Sequence, residues 1–227
     1  MHFKIIKKDT KTRARIAEIT LNGRKIETPI FMPVATSAAI KGLHGKDLVD
    51  ASDPQIILAN TYHLYLRPGH DIIKNSGGIH NFMSWDRNVL TDSGGYQVYS
   101  LSDNRKIEED GVKFKSHIDG SYHFFSPEKA IQIQKSIGAD IIMAFDECTP
   151  YPCDKNYARK SMNLTHRWLQ RCIKEFKHGE NNNLREQFLF PIVQGSVYAD
   201  LRSESAEFVS SMAVSYTHLT LPTRYRV

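Results

Sequence analysis

Val89-Leu90-Thr91-Asp92-Ser93-Gly94-Gly95-Tyr96-Gln97-Val98 is the stretch around which the sequence organises itself. It begins apolar, passes through a single carboxylate and ends in paired glycines. A short apolar run bounded by glycine reads as a buried strand closing in a tight turn. Paired glycines let the backbone take positive φ or approach a flat ligand closely. A carboxylate at such a junction can accept hydrogen bonds from a ligand's N–H groups or act as a base. The bland alternative is an Asx turn, in which Asp92 binds its own backbone.

Outward from this stretch, the N-terminal side carries β-prone pieces at 3–7, 14–21 and 25–31, with Asn22-Gly23 as a hairpin signal between the last two. They predict an antiparallel flap. A strand–loop–helix rhythm follows. Strands are predicted at 29–34, 55–60, 88–92, 139–145 and 188–193, and helices at 45–51, 70–75, 154–177 and 198–212. Another helix starts at Ser126-Pro127-Glu128, with Ser as N-cap and Pro at the first helical position, and stops at Gly138. Residues 105–125 read as a polar hairpin-like insertion turning at Asp119-Gly120. On the long helix, Ala158, Met162, Thr165, Leu169, Cys172, Ile173 and Phe176 form one apolar face, and its Arg and Lys residues read as the solvated one.

Near-continuous apolar strands interleaved with helices imply a parallel sheet covered on both faces. An open doubly wound sheet and a β/α barrel both satisfy that pattern. Polar residues collect at the carboxyl ends of successive strands, at Asn60, Asp92, Asp146 and Gln194, and this favours the barrel, whose sites are assembled from several strand ends. No G-x-G-x-x-G follows a strand, and Gly42-Leu43-His44-Gly45-Lys46 is too short between glycines for a phosphate-binding loop. The reading is therefore α/β, a (β/α)8 TIM barrel with an N-terminal antiparallel flap.

Composition narrows the class. The chain has 227 residues, 41% hydrophobic and 24% charged, as in an ordinary globular protein. No apolar run reaches the ~18 residues of a membrane span. The start lacks the features of a secretory signal. Cys148, Cys153 and Cys172 are odd in number and form no C-x-x-C pair, which fits a reducing cytoplasmic compartment. His63, His80, His117, His123 and His166 show no metal-ligand spacing and read as surface or packing residues. A net charge of +5 and a pI of about 9.0 are compatible with a polyanionic partner.

Asp92, Asp146 and Gln194 converging at the strand ends would make a hydrogen-bonding pocket for a planar heterocycle, with Tyr96 offering a stacking surface. Guanine presents N1–H and a 2-amino group on one edge, and a carboxylate can accept both.

Thr91-Asp92-Ser93-Gly94-Gly95-Tyr96-Gln97-Val98 resembles the signature of the tRNA-guanine transglycosylases, also called queuine tRNA-ribosyltransferases. Further segments resemble the same family in order. They are Asn60-Thr61-Tyr62-His63-Leu64-Tyr65-Leu66-Arg67-Pro68-Gly69, Phe82-Met83-Ser84-Trp85-Asp86-Arg87, Phe114-Lys115-Ser116-His117-Ile118-Asp119-Gly120, Met143-Ala144-Phe145-Asp146-Glu147-Cys148 and Val193-Gln194-Gly195-Ser196. The resemblance runs from about residue 3 to residue 212.

It implies a β/α barrel with a structural zinc subdomain and a cytoplasmic tRNA-modifying enzyme of queuosine biosynthesis, dimeric when full length. The enzyme exchanges the wobble guanine of target anticodons for a 7-deazaguanine precursor through a covalent aspartate–ribose intermediate. It further implies that Asp92 is the general acid/base. Ser93, Gly94, Gly95 and Tyr96 then line the base pocket, Asp146 and Gln194 hold the hydrogen-bonding edge of the base, and Cys148 stands in the pocket wall. The family's Gly-Gly-Leu loop, nucleophilic aspartate, basic tRNA-contact stretch and C-x-C-x-x-C plus His zinc cluster have no match in this sequence. The expectation is therefore residues 1–213 as the N-terminal portion of the barrel, truncated after about the fifth β/α unit and without catalytic activity alone, and residues 214–227 as a non-native tail. The alternative is a non-catalytic tRNA-binding partner subunit, against which the intact Asp92-Ser93-Gly94-Gly95-Tyr96 argues.

Overall fold

The structure, a computed structural model, describes residues 1–101, 105–178 and 185–212. The tail expected at 214–227 lies outside the described residues. In chain order the elements are β1 (His2–Lys8), β2 (Arg15–Leu21), β3 (Arg24–Thr28), α1 (Gly45–Ser52), β4 (Ile56–Ala59), α2 (Thr61–Leu66), α3 (His70–Asn75), α4 (Ile79–Met83), β5 (Asn88–Thr91), α5 (Gly95–Leu101), β6 (Lys106–Glu108), β7 (Gly111–Lys115), β8 (Tyr122–Phe125), α6 (Pro127–Ile137), β9 (Ile141–Met143), α7 (Lys155–His178), β10 (Phe188–Phe190) and α8 (Ala199–Ser211). They fall into two compact units. One holds residues 1–92, 133–142 and 185–188, and the other holds 93–101, 105–132, 143–178 and 189–212.

In the first unit β1, β2 and β3 form the expected antiparallel flap, turning at Asn22-Gly23. The alternation of β2 puts Ala17, Ile19 and Leu21 inside, which is the period-two pattern of a half-buried strand. Asn22, at the turn, clasps the backbone of Glu186 on both its N–H and its carbonyl, and donates to Asp140 Oδ1 at 2.6 Å. The parallel strands pair in the order β10-β9-β5-β4, with Ile57 facing Val89 and Leu90 facing Ile141. All four residues of β5 are buried, as a strand covered on both faces requires. The sheet is α/β and parallel, as read from the sequence. Its described strands form a run of four and do not close on one another.

The strand predicted at 29–34 is reduced to a single bridge, Val34 to Leu58. Pro29 and Pro33 have no N–H to give a ladder, so only Pro33 O and Ala35 N reach Leu58. The sequence also gave no notice of α2, α4 and α5, which are six, five and seven residues long. Segments of two turns or fewer are too short for a 3.6-residue periodicity to show.

In the second unit the 105–125 insertion is a three-stranded antiparallel sheet, β6-β7-β8, with Gly120 N donating to Ser116 O in the expected turn. Ser126 Oγ caps α6 by accepting from Lys129 N at 3.1 Å. The apolar face of α7 buries Ala158, Met162, Thr165, Leu169 and Cys172, while Ile173 and Phe176 are half-buried. Trp168, also buried, stacks on Phe145 with centroids 5.0 Å apart. The cationic side of α7 is not simply solvated. Arg167 binds Glu109 bidentately at 2.6 and 2.8 Å, and Arg171 binds Glu128 with both contacts at 2.7 Å. Arg171 also reaches the carbonyls of Glu109 and Asp110, so these two arginines clamp the β6–β7 turn.

Candidate base-recognition site

Each predicted polar residue stands just past a strand. Asn60 follows β4, Asp92 follows β5, Asp146 follows β9 and Gln194 follows β10.

Asp92 belongs to the first unit and is half-buried. Its Oδ1 accepts from Thr61 N at 2.9 Å and its Oδ2 from Asn60 Nδ2, while its own carbonyl accepts from Thr61 Oγ1. Asp92 N in turn donates to Ala59 O at 3.2 Å. The carboxylate is therefore gripped by the Asn60-Thr61 junction where β4 gives way to α2, rather than only by the local turn that an Asx motif would make. Both partners lie in a quoted segment, but nothing in their spacing announced that they would hold Asp92.

Ser93, Gly94, Gly95, Tyr96, Asp146, Cys148 and Gln194 belong to the second unit. Asp146 is 9% exposed. Ser93 Oγ donates to its Oδ1 and Gln194 Nε2 to its Oδ2, both at 2.7 Å. Two strand ends about a hundred residues apart in sequence thus fix the two oxygens of one carboxylate.

Ser93 Oγ also accepts from Gly95 N at 3.1 Å, which closes the turn. Gly94 sits at φ +82°, in the left-handed region that favours glycine. Gly95 is required for space: a Cβ there would lie 2.5 Å from Asp146 O and 3.0 Å from Asp146 Oδ1. Tyr96 is 59% exposed, a ring presented at the start of α5. Gln97, quoted in the motif but given no role, has a buried Oε1 without a hydrogen-bond partner among the described residues.

Cys148 lines a small cleft with Gly95, Val98, Tyr99, Arg105, Asp146 and Glu147. Burial, and then the charges of Asp146 and Glu147, push its thiol up to about 12, so it is a neutral wall group and not a thiolate. Beside it, Glu147 is buried and accepts from Tyr157 OH at 2.6 Å. Burial and this hydrogen bond push the Tyr157 phenol up as well. The Tyr157–Glu147 pair joins α7 to the loop that carries Asp146, a link with no periodic signal in the sequence.

Of the five histidines read as surface or packing residues, His80 and His166 are buried. His80 Nε2 lies 2.9 Å from Asp140 Oδ2, and His166 Nε2 lies 2.9 Å from Ser205 Oγ. The zinc implied by the resemblance has no ligand set here: no group of three or more His, Cys, Asp or Glu residues that could hold a metal ion occurs among the described residues. Cys172 is buried, and its thiol is likewise pushed up to about 12 by burial. No helix among the described residues is long and apolar enough to cross a membrane.

Against known proteins, the sequence profile of the queuine tRNA-ribosyltransferases matches residues 9–220. The chain belongs to the queuine tRNA-ribosyltransferase family. Among curated proteins of that name, the one from Caldanaerobacter subterraneus subsp. tengcongensis is 55% identical over 210 residues, covering 92% of this chain and 54% of the relative. That of Symbiobacterium thermophilum is 52% identical over 212 residues, with 93% and 52% covered. That of Halalkalibacterium halodurans is 50% identical over 210 residues, with 92% and 54% covered. The chain spans about half the length of the curated relatives it matches. The family is one of glycosyltransferases that modify tRNA, and four of the segments quoted for the resemblance, those holding Asn60-Thr61, Asp92-Ser93, Asp146 and Gln194, supply the contacts of the two carboxylates.

Proposed function

We propose that this chain carries the base-recognition half of a tRNA-guanine transglycosylase built on a β/α barrel. The whole protein would exchange the wobble guanine of a target tRNA for a 7-deazaguanine precursor, in the cytoplasm and as a homodimer. The observation that carries the reading is the pair of 2.7 Å hydrogen bonds that fix both oxygens of Asp146 from Ser93 and Gln194.

The chemistry follows from that geometry. Asp146, with its oxygens oriented by Ser93 and Gln194, accepts the N1–H and 2-amino hydrogens of guanine. Gln194, held by Nε2, offers its Oε1 to another donor of the base. Tyr96 supplies the stacking face, Gly94 and Gly95 keep the floor flat and free of side chains, and Cys148 closes the wall as a neutral thiol. Asp92, held by Thr61 N and Asn60, is the general acid/base that moves a proton on the departing or arriving base. The exchange is a double displacement. A carboxylate attacks the ribose carbon, the C–N glycosidic bond breaks as guanine leaves with a proton, and the incoming base displaces the carboxylate. For this to happen the target base must leave its stack, and phosphate contacts give the tRNA a salt-dependent affinity. No residue of this sequence matches the family's nucleophile, so we propose that the chain alone binds base and forms no tRNA adduct.

Titration calorimetry of the chain with guanine and with adenine tests the pocket. Guanine binding is expected, and adenine, whose N1 is an acceptor, is expected not to bind. Equal binding of the two bases, or none of either, overturns the reading. A covalent tRNA adduct on a denaturing gel overturns the assignment of a nucleophile outside this chain.

A further inference from the structure

We propose that His166 and Ser205 form a hydrogen-bonded relay, Gln194 N–H to Ser205 Oγ–H to His166 Nε2, whose work is to position Gln194 for the base, so that both are positioning residues for base affinity. The proposal rests on the reading of Asp146 and Gln194 as the base-recognising pair.

The direction of the relay follows from donor and acceptor counting. Ser205, in α8, is fully buried, and a buried hydroxyl must both give and take. Its two partners are Gln194 N at 3.0 Å and His166 Nε2 at 2.9 Å. Gln194 N–H can only donate, so it occupies an oxygen lone pair. The hydroxyl proton must then go to His166 Nε2, which requires the imidazole to be neutral with its own proton on Nδ1. Burial favours that state. It pushes His166 below the usual histidine value, opposed by Glu204 of α8 and assisted by Arg167 of α7. Glu204 is itself paired with Arg159 at 2.7 Å. The ring is locked in place by stacking on Phe208, with centroids 4.0 Å apart and planes 13° from parallel.

The loop after β10 is pinned to α8 a second time, at the next residue. Gly195 stands at φ +114°, and a Cβ on it would come within 2.7 Å of Arg202 N and 2.8 Å of Leu201 C. The backbone on both sides of the Gln194–Gly195 peptide therefore lies against α8, and from it the Gln194 side chain donates to Asp146 Oδ2. Neither His166 nor Ser205 stands at a strand end, and they act through Gln194.

The test compares guanine titrations of the wild-type chain with Ser205→Ala, His166→Phe and His166→Gln, each checked by its thermal melt. Ser205→Ala and His166→Phe are expected to weaken guanine binding about three- to ten-fold, the loss of one neutral hydrogen bond. Phe keeps the ring stack and removes only the acceptor. Gln places an acceptor oxygen near the position of Nε2 and is expected to restore affinity to within about two-fold of wild type. If wild type binds guanine and Ser205→Ala and His166→Phe bind it as well, the relay is overturned and the base-binding reading stands. If His166→Gln is as weak as His166→Phe, ring packing rather than the acceptor matters, and the relay is again overturned. If wild type binds no guanine, the base-binding reading fails and, with it, the relay's role in affinity. Nitrogen-15 NMR then judges the hydrogen bonds themselves. A proton on Nδ1 of His166, together with faster exchange of the Gln194 amide in Ser205→Ala, supports the relay's geometry. A proton on Nε2, or unchanged exchange, overturns it.

Discussion

Two aspartates flank one short strand and have opposite surroundings. Asp140 precedes β9 and Asp146 follows it. Asp140 is completely buried in the first unit and is bound by Asn22 Nδ2 at 2.6 Å, Val89 N at 2.8 Å, His80 Nε2 at 2.9 Å and Arg185 Nη1 at 3.2 Å. Its partners include an arginine and a histidine, and they tie together the flap turn, α4, β5 and the approach to β10. Burial pushes its carboxyl up, but the hydrogen bonds from His80, Val89 and Asn22 outweigh that and hold it below the ordinary range. Asp146, in the second unit, accepts from the neutral side chains of Ser93 and Gln194 and retains 9% exposure. The lesson concerns the two ends of a parallel strand. The aspartate before this strand joins elements, and the one after it is, under the proposed function, the one that meets the base.

The largest effect that would break this comparison is on stability. Asp140→Ala takes the acceptor from the buried His80 and the Val89 amide, and removes a contact of Asn22 and of Arg185, and is expected to cost about 3–5 kcal/mol in chemical denaturation. Asp146→Ala is expected to cost about 1–2 kcal/mol while weakening guanine at least about 100-fold. If the two variants melted alike, the division of labour would fall.

Gly95→Ala sharpens the same point at intermediate size. Its Cβ would meet Asp146 O at 2.5 Å, so the turn or the carboxylate loop must shift. About 1–3 kcal/mol of stability and about ten-fold in guanine affinity are expected to go together. A variant that kept full affinity would show that the close approach of this turn to Asp146 is not needed for the base.

The smallest effect is the pH response of His166. Its folded value is depressed, so the stability it contributes is present above the unfolded value of 6.5 and is lost as pH falls from there toward the folded value, because the unfolded chain takes up the proton first. Urea midpoints taken through that window are expected to fall, and to fall less in His166→Phe. An identical slope in the variant would assign the loss to other groups.

Much of this was legible in the residues. The flap announced itself through Asn22-Gly23 and alternation, α6 through its Ser126 cap and Gly138 stop, and α7 through a face repeated at helical spacing. The strand predicted at 29–34 shrinks to one bridge because Pro29 and Pro33 lack the N–H groups a ladder needs, whatever their apolar content. The short helices α2, α4 and α5 were missed because periodicity needs length. On the site, Asp92, Ser93, Gly95, Asp146 and Gln194 were all named from strand ends and resemblance. Asn60 was noted only as one more polar strand end, and Thr61, Glu147 and Ser205 received no role. His80 and His166 read as surface or packing histidines, and nothing in the sequence marks Asp140.

What the sequence determined by itself was which residues are polar where a strand stops, which turns demand glycine, and which family this pattern resembles, because those signals are local and are carried by residue type. What only the tertiary structure decided was which partner each polar atom takes: Thr61 for Asp92, Ser93 and Gln194 for Asp146, Ser205 and His166 for the backbone of Gln194. A hydrogen bond depends on ångström-scale placement of groups that lie from 11 to 53 residues apart here, and no periodicity or spacing along the chain encodes that distance.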